Sequence, residues 1–355
     1  MSTNPSEMTA LVPHTGTATA VVLNEEERAV LSGLLRDARS ENTNKAYLGQ
    51  IRKFSAWLES TGRKATLPIA PEVVALYIDK LVKDGVRWSS LTQAVSALDA
   101  LMNDRGFDSA LFKSHIVSSA LTAGRRKMAA DGRSRIKKAP PFTLDELERL
   151  SADAPATAKG RRDIAMLLLG VSTALRGSNI VSLYPGDLTF DEVGLTVNVS
   201  HSKTDQYGAG GLIYIERLSP SNRALDAVAA LEEWMEARRE LWRDYRFHPE
   251  DSDRVPVFLS MRKGDALHLD FEESPHGMTR ESFDGILKEM CEASGIEKTV
   301  STHSLRHSFV SLGFEAGADS STIAKTTGHK SLTTLAGYDQ RTLRMTAITR
   351  KVFDK

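Results

Sequence analysis

Apolar positions recur at intervals of three and four along the first third of the chain, and this spacing predicts short amphipathic helices. Asn24 followed by three glutamates, and then a stripe through Val30, Leu34 and Leu35, predicts a helix that ends near Arg39. Ser40 then precedes a longer stripe, and further stripes cover residues 71–81, 89–101 and 107–123. Residues 1–22, rich in Thr, Ala and Ser, show no period and predict a flexible tail.

The remainder of the chain shows both the helical period of three to four residues and the two-residue alternation of strands. Thr143 followed by Glu146 predicts a capped helix, and an apolar run in residues 161–174 predicts a buried one. Alternation over residues 188–190, 195–199 and 212–215 predicts three strands, and residues 255–259 read as a buried segment. Helical stripes return over residues 221–246, 279–293 and 343–352. The pattern therefore predicts a mainly α fold with a small antiparallel β-sheet.

A cluster of cations separates the two regions. Between residues 125 and 138 one acid, Asp131, stands among the basic side chains Arg125, Arg126, Lys127, Arg133, Arg135, Lys137 and Lys138. Ala139-Pro140-Pro141 closes the stretch, because prolines resist helix continuation. We therefore predict a helical domain over residues 23–123, a basic linker over residues 124–141, and a second domain over residues 142–355. A cationic linker of this kind would let the two domains close on opposite faces of a DNA duplex.

Composition narrows the class of protein. Lysines and arginines number 46, as do aspartates and glutamates, so DNA binding would depend on clustered cations and not on the total charge. Lys45, Arg52 and Lys53 lie off the apolar stripe of the second helix and extend the list of candidate DNA contacts.

The single cysteine, Cys291, fits a reducing cytoplasm. A signal peptide and an apolar run long enough to span a bilayer are both missing, so we expect no membrane association.

Residues 302–309 carry the densest chemistry in the chain. His303 and Arg306 stand three positions apart, so one helix face can present both, and His329 and Tyr338 follow downstream. A planar guanidinium can bridge two oxygens of a phosphate, and an imidazole can donate a proton near neutral pH. A phenol becomes a nucleophile when cations and hydrogen-bond donors surround it. These residue types suit an attack on a phosphodiester.

The order of these motifs resembles the tyrosine recombinases, the phage integrase family. Three motifs carry the C-terminal part of this resemblance: residues 303–309, Gly328-His329-Lys330-Ser331, and Tyr338. Residues 174–179 resemble the family's first arginine motif, and residues 201–205 its β-hairpin lysine. The resemblance implies the catalytic set Arg176, Lys203, His303, Arg306, His329 and Tyr338. In this family an acid usually stands three residues after the first arginine; here that residue is Asn179.

The resemblance also implies an architecture and a reaction. The N-terminal helices would form a SAM-like core-binding domain, and the second domain would be an α+β catalytic domain. Tyr338 would cut DNA through a covalent 3′-phosphotyrosyl intermediate, without cofactor or metal. The expected partners are double-stranded DNA at specific sites and three further copies, making a homotetramer on two duplexes. When bound to DNA such a protein would be associated with the nucleoid.

Several alternatives stay open at this level. A type IB topoisomerase uses similar residue types, and a DNA-binding protein derived from an integrase would keep the motifs without catalysis. A zinc hydrolase built on His303, His307 and His329 is a third interpretation, because His303 and His307 have the spacing of two metal ligands. The helix predicted over residues 343–352 would dock either on its own domain or on a neighbouring copy.

Overall fold

The computed structural model describes residues 30, 33–34, 37–133, 139–199 and 211–327. Two compact units divide the chain, Met1–Lys137 and Lys138–Lys355. The tail predicted over residues 1–22 and the helix predicted over residues 343–352 lie outside the described residues. Of the first predicted helix, residues 30, 33–34 and 37–39 are described; residues 30, 33–34 and 37 are helical, and residues 38–39 form a turn. Within the described ranges, no helix has the length and apolar character to cross a bilayer.

The first unit is built from helices joined by short turns. Its described helices are α1 (Glu41–Ser60), α2 (Pro71–Lys83), α3 (Trp88–Asp104) and α4 (His115–Ala130), with a 3-10 turn at Leu111–Lys113. Ser40 caps α1 by accepting a hydrogen bond from the Thr43 backbone N–H at 3.3 Å. The apolar stripes converge on a buried core that contains Phe54, Val74, Tyr77, Ile78, Leu91, Leu98 and Val117.

The last helix of this unit differs from its predicted bounds. It runs over His115–Ala130 and not over residues 107–123, so Arg125, Arg126 and Lys127 are helical and not part of an extended linker. Side chains of α3 hold the preceding turn: Asp99 accepts from the Leu111 N–H, and Asn103 accepts from the Ser109 N–H. In its second half α4 packs closely on α2, where a Cβ on Gly124 would lie 2.9 Å from a methyl of Val82. Local sequence does not report this packing, which stabilises the helix beyond its predicted end at residue 123.

The second unit is mainly helical around one small sheet. Its helices are α5 (Leu144–Ala152), α6 (Ala158–Thr173), α7 (Gly177–Val181), α8 (Ala227–Asp244), α9 (Arg280–Ala293), α10 (Thr302–Glu315) and α11 (Ser320–Thr327). Short 3-10 helices lie at Pro185–Asp187, Pro220–Leu225, Pro249–Arg254 and Lys263–Asp265. The helix predicted from residue 221 begins at Ala227, because Asp226 caps it by accepting from the Val228 N–H at 2.9 Å.

The predicted antiparallel sheet is confirmed. Its strands β1 (Leu188–Phe190), β2 (Gly194–Asn198) and β3 (Leu212–Glu216) lie in chain order, with Thr196 opposite Thr189 on one side and Tyr214 on the other. The predicted capping box of α5 is also present, with Thr143 and Glu146 each accepting from the other's backbone N–H. Mostly helical, with one small antiparallel sheet, the fold has the predicted class.

The helices α6 and α10 form the centre of the second unit. A Cβ on Gly170 would lie 2.5 Å from the Leu305 side chain, so the two backbones approach closely where a larger residue would not fit. Trp234, Phe258 and Phe283 complete the surrounding buried core. Because α10 carries His303 and Arg306, this core fixes the backbone on which those two side chains stand.

Candidate active site

The motif helix α10 is fastened at several points. The Ser304 hydroxyl accepts from the Ser301 backbone N–H at 3.2 Å, which closes the first turn. One turn later the Ser308 hydroxyl accepts from the Phe142 N–H at 2.8 Å and donates to the Ser304 carbonyl at 2.8 Å. His307 donates from Nδ1 to the Ala139 carbonyl oxygen at 2.7 Å. His307 therefore ties the chain entering this unit to α10.

Arg306 lies buried between two segments that are distant in sequence. Its side chain is 8% exposed, and Nη1 donates to the Ala174 carbonyl oxygen at 2.9 Å. Nη2 donates to the Thr327 carbonyl oxygen at the end of α11. Ala174 ends α6 in the left-handed conformation, with φ 53°, which turns the chain toward Arg176. Arg306 thus holds the ends of α6 and α11 together.

Arg176 stands at the start of α7 and is half-buried. The next residue, Gly177, approaches α10 so closely that a Cβ there would lie 2.6 Å from the Thr302 side chain. Thr302 directly precedes His303, and the charges of Arg176 and Arg306 both act on His303. The structure therefore brings Arg176, His303 and Arg306 to one place, although 132 positions separate Ala174 from Arg306.

The surroundings of His303 disfavour its charged form. Partial burial is the largest cause that lowers the pKa of His303, and Arg280 adds to it, followed by Arg306 and Arg176. Asp284 acts in the opposite direction and raises the pKa. His303 keeps an exposed surface, so the imidazole can reach a ligand from solvent. These surroundings oppose protonation of the imidazole in the free protein, and an incoming anion would favour it.

Three of the predicted catalytic residues, Lys203, His329 and Tyr338, lie outside the described residues. The backbones that flank the Lys203 segment are described. Val199 donates to the Gly211 carbonyl at 2.8 Å, and Gly211 donates back to the Val199 carbonyl at 3.2 Å. The base of the predicted β2–β3 hairpin is therefore formed, and α11 ends at Thr327, two positions before His329.

Two residues of the site were missed by the sequence analysis. Asp284 and Arg280, both on α9, contact each other and act on His303. Asp284 also accepts from the Thr302 backbone N–H at 2.6 Å. Each is one charged residue among several on a predicted amphipathic helix, and nothing in the local pattern distinguishes them. Only the packing of α9 against the start of α10 identifies them.

Comparisons with known proteins identify the group to which the chain belongs. Residues 141–343, more than half of the chain, match the model of the phage integrase family, and residues 31–103 match the model of the phage integrase N-terminal SAM-like domain. The chain belongs to the phage integrase family. It is a site-specific recombinase of the tyrosine class.

Individual relatives agree with this assignment. This recombinase is 28% identical over 305 residues to an integrase/recombinase XerD homolog of Selenomonas ruminantium, covering 84% of this chain and 81% of that one. It is 30% identical over 198 residues to the tyrosine recombinase XerD of Listeria innocua, covering 56% of each chain. These relatives are named recombinases, which favours recombination over a topoisomerase or a non-catalytic DNA-binding protein.

Solved structures agree on the fold. The XerH site-specific recombinase, in a post-cleavage complex with its palindromic difH substrate, aligns with a TM-score of 0.57 at 17% sequence identity. The alignment covers 90% of this chain and 84% of XerH. At this identity the likeness establishes the shared architecture, including the SAM-like N-terminal helices and the α+β second domain.

The predicted DNA contacts of this recombinase occupy different environments. Arg52, Lys53, Arg126 and Lys127 are exposed, whereas Lys45 pairs with Glu41. Arg125 stacks over the Trp88 ring, with 5.6 Å from its guanidinium carbon to the ring centroid. Arg133 folds back onto its own unit, donating to Asp131 at 2.7 Å and to the Val82 carbonyl at 3.2 Å. Arg135, Lys137 and Lys138 lie outside the described residues.

The close approach at Gly177 makes a testable prediction for this recombinase. Gly177→Ala should lower the free energy of unfolding by about 1–3 kcal/mol, because the new methyl must displace Thr302. Gly186→Ala is the matched control, since a Cβ there meets no atom within 4 Å. Urea unfolding followed by circular dichroism measures both. Equal midpoints for the two variants would contradict the tight contact between α7 and α10.

Proposed function

We propose that this recombinase cuts and rejoins DNA with Tyr338 as the nucleophile and with Arg176 and Arg306 as the clamp on the scissile phosphate. The observation that carries the proposal is the packing that joins the two arginine segments: Arg306 donates to the Ala174 carbonyl, two residues before Arg176, and Gly177 packs against Thr302, next to His303. Two guanidinium groups at one point stabilise the charge that grows on the nonbridging oxygens of a phosphate in its transition state. A phenol aligned with that phosphate would become nucleophilic in the same field.

The chemistry consists of two balanced transfers. Tyr338 Oη loses its proton to solvent and attacks phosphorus, the bond to the 5′ oxygen breaks, and a 3′-phosphotyrosyl linkage and a free 5′ hydroxyl result. A 5′ hydroxyl from the partner strand then loses its proton, attacks the same phosphorus and releases the tyrosine, which is protonated again. Lys203 would protonate the leaving 5′ oxygen, with His303 assisting, and His329 would donate to a nonbridging oxygen. Because the protein-linked phosphate conserves the energy of the broken phosphodiester bond, the rejoining step as proposed needs no nucleotide cofactor or metal.

The site supports His303 as a group that changes charge when substrate arrives. Burial and the arginines lower the pKa of His303 in the free protein, and a bound phosphate would raise it. Proton uptake on binding would then place a proton donor beside the reacting phosphate. Such a change fits a group that assists proton transfer to the leaving oxygen.

Double-stranded DNA is the substrate that we propose, in keeping with the DNA-bound state of the XerH neighbour. The exposed cations of α1 and α4 would contact the phosphate backbone. We further propose a homotetramer on two duplexes, acting in the cytoplasm at the nucleoid, with pairs of copies active in turn. The helix predicted over residues 343–352 would dock either on a neighbouring copy in that assembly or on its own domain.

A trapping experiment tests the function directly. A nicked suicide duplex, built from inverted repeats next to the gene, loses its short 5′ fragment after cleavage, so the covalent intermediate accumulates. We expect a protein–DNA adduct that resists boiling in detergent and whose crosslinked peptide contains Tyr338. An adduct on another residue would refute the assignment, and absence of any adduct on all repeat-containing duplexes would contradict the function.

The salt dependence of binding tests the basic end of α4. Replacing Arg125, Arg126 and Lys127 with Gln should weaken DNA binding and reduce the slope of log K against log salt by about 0.9 for each lost phosphate contact. The control replaces three other cations of the same unit, Lys80, Lys83 and Lys113, of which the first two pair with neighbouring acids. Fluorescence anisotropy at several salt concentrations measures both slopes. Equal slopes for the two triple variants would exclude α4 from the interface.

A further inference from the structure

Positively charged side chains outnumber negatively charged ones around His303, at the proposed catalytic centre. Among the described residues, the charged groups with the largest effects on the pKa of His303 are Arg280 and Asp284 from α9, Arg306 from α10, and Arg176 beside α7. Three of the four are arginines. Asn179, one turn after Arg176, is buried and neutral. Among these groups, the negative charge comes from Asp284 alone.

Asp284 is held in a defined geometry. Its Oδ1 atom accepts a hydrogen bond from the backbone N–H of Thr302 at 2.6 Å, and Oδ2 accepts from Nη1 of Arg280 at 3.0 Å. The side chain is 17% exposed, so solvent screens it only partly. With both oxygens bonded, the carboxylate cannot rotate away without losing one partner.

The contact with Thr302 reaches the motif helix at its first residue. The first N–H groups of an α-helix have no partner within the helix, and a carboxylate there also interacts favourably with the helix dipole. Thr302 is the first residue of α10 and directly precedes His303. The same Thr302 side chain packs against Gly177, the residue after Arg176. One carboxylate therefore fixes the point where the backbones bearing His303 and Arg176 meet.

We propose that Asp284, oriented by Arg280, is the positioning residue of this catalytic centre: it fixes the start of α10 beneath His303 and offsets the positive charge of the arginines. Asp284 acts through His303 and is a positioning residue, not a catalytic one. The inference rests on the proposed function, because it assigns the role of Asp284 to that same site. It adds a carboxylate supplied by α9, from outside all of the sequence motifs.

The charge of Asp284 should change the pKa of His303 in one direction, an effect that a purely structural role would not produce. Asp284 raises the pKa of His303 against burial and the arginines, so its neutralisation should lower that pKa further. His303 would then lose its proton at a lower pH. The limb of the pH–rate profile that reports His303 should shift to lower pH, and proton uptake on substrate binding should weaken.

Asp284→Asn removes the charge but keeps the contact with α10, because the amide oxygen can still accept from the Thr302 N–H. The amide NH2 cannot accept from Arg280, so that bond is lost. We expect cleavage of the suicide duplex to slow by about 10- to 100-fold, the size typical for loss of a group that orients a site residue. DNA affinity and the unfolding midpoint should change little. Glu281→Gln is the matched control: Glu281 lies on the same helix and also pairs with Arg280, but is exposed. The control should keep the wild-type rate and pH profile.

A titration independent of cleavage keeps the proposal separate from the proposed function. The imidazole signal of His303, assigned by its loss in His303→Gln, is followed by NMR in the full chain without DNA. A shift to lower pH in Asp284→Asn, with none in Glu281→Gln, supports the proposal even if no duplex is cut. An unchanged His303 titration, or an unchanged cleavage rate where the wild type cleaves, overturns it. If Asp284→Asn does not fold, Asp284→Glu is measured instead. This variant keeps the charge but displaces the carboxylate from the Thr302 N–H. A wild-type cleavage rate of Asp284→Glu would overturn the proposal.

Discussion

Replacing Tyr338 with Phe is expected to abolish the covalent protein–DNA adduct while leaving DNA binding intact. The substitution removes one oxygen, the atom that would form the bond to phosphorus, and keeps the aromatic ring. Removal of a covalent nucleophile can lower a rate by on the order of 10^6-fold, so the reaction should fall to the background of the assay. Single-turnover cleavage of the suicide duplex measures the loss, and fluorescence anisotropy measures the affinity.

Tyr184→Phe is the matched control for this experiment. Tyr184 is an exposed tyrosine of the same unit, 42% exposed at the start of the 3-10 helix Pro185–Asp187. This control should form the adduct at the wild-type rate. A trapped adduct with Tyr338→Phe would show that another residue attacks the phosphate, and would sink the proposed mechanism at its first step.

Replacing Arg306 with Lys is expected to lower cleavage by about 10²- to 10³-fold, the usual loss when one preorganised donor to a transition-state oxygen is removed. A lysine ammonium cannot bridge two phosphate oxygens in a plane, as a guanidinium can. Arg306 also donates to the Ala174 and Thr327 carbonyl oxygens, and the shorter lysine cannot keep both contacts. We therefore expect the free energy of unfolding to fall as well, by about 1–3 kcal/mol.

Arg176→Lys distinguishes the two roles of Arg306. None of the hydrogen bonds among the described residues involves the Arg176 guanidinium, and the side chain is half-buried. Its replacement should therefore slow cleavage by a similar factor without moving the unfolding midpoint. Single-turnover cleavage and urea unfolding of both variants give the comparison. Wild-type cleavage by either variant would remove that arginine from the phosphate clamp.

The anchoring of Arg306 has a consequence for the nucleophile. Arg306 holds the last residue of α11, and the chain that follows carries His329 and Tyr338. A displacement of the Thr327 backbone would therefore move the Arg306 guanidinium, which is proposed to bind the phosphate. This link offers a physical route by which the position of the tyrosine segment and the readiness of the clamp depend on each other.

Several features could be predicted from the sequence alone because their causes are local. The helical stripes, the Thr143–Glu146 capping box and the three alternating strands each depend on neighbours a few residues away. The family resemblance also came from the sequence, because phosphoryl transfer by a tyrosine needs particular residue types in a particular order. The roles of Lys203, His329 and Tyr338 stay predictions, to be decided by the experiments above.

Other features were decided by tertiary packing. The bounds of α4 depend on contacts with α2, so the basic residues 125–127 became part of a helix and not of a linker. His307 binds the Ala139 carbonyl, 168 positions away, a contact that its sequence neighbours do not indicate. Asp284 carries no sequence signal because its partners, Thr302 and His303, lie on another helix.

The sequence thus determined which chemical groups were available. Only the packing of α6, α9 and α10 decided which of them meet, because contacts between distant segments leave no mark on the local pattern.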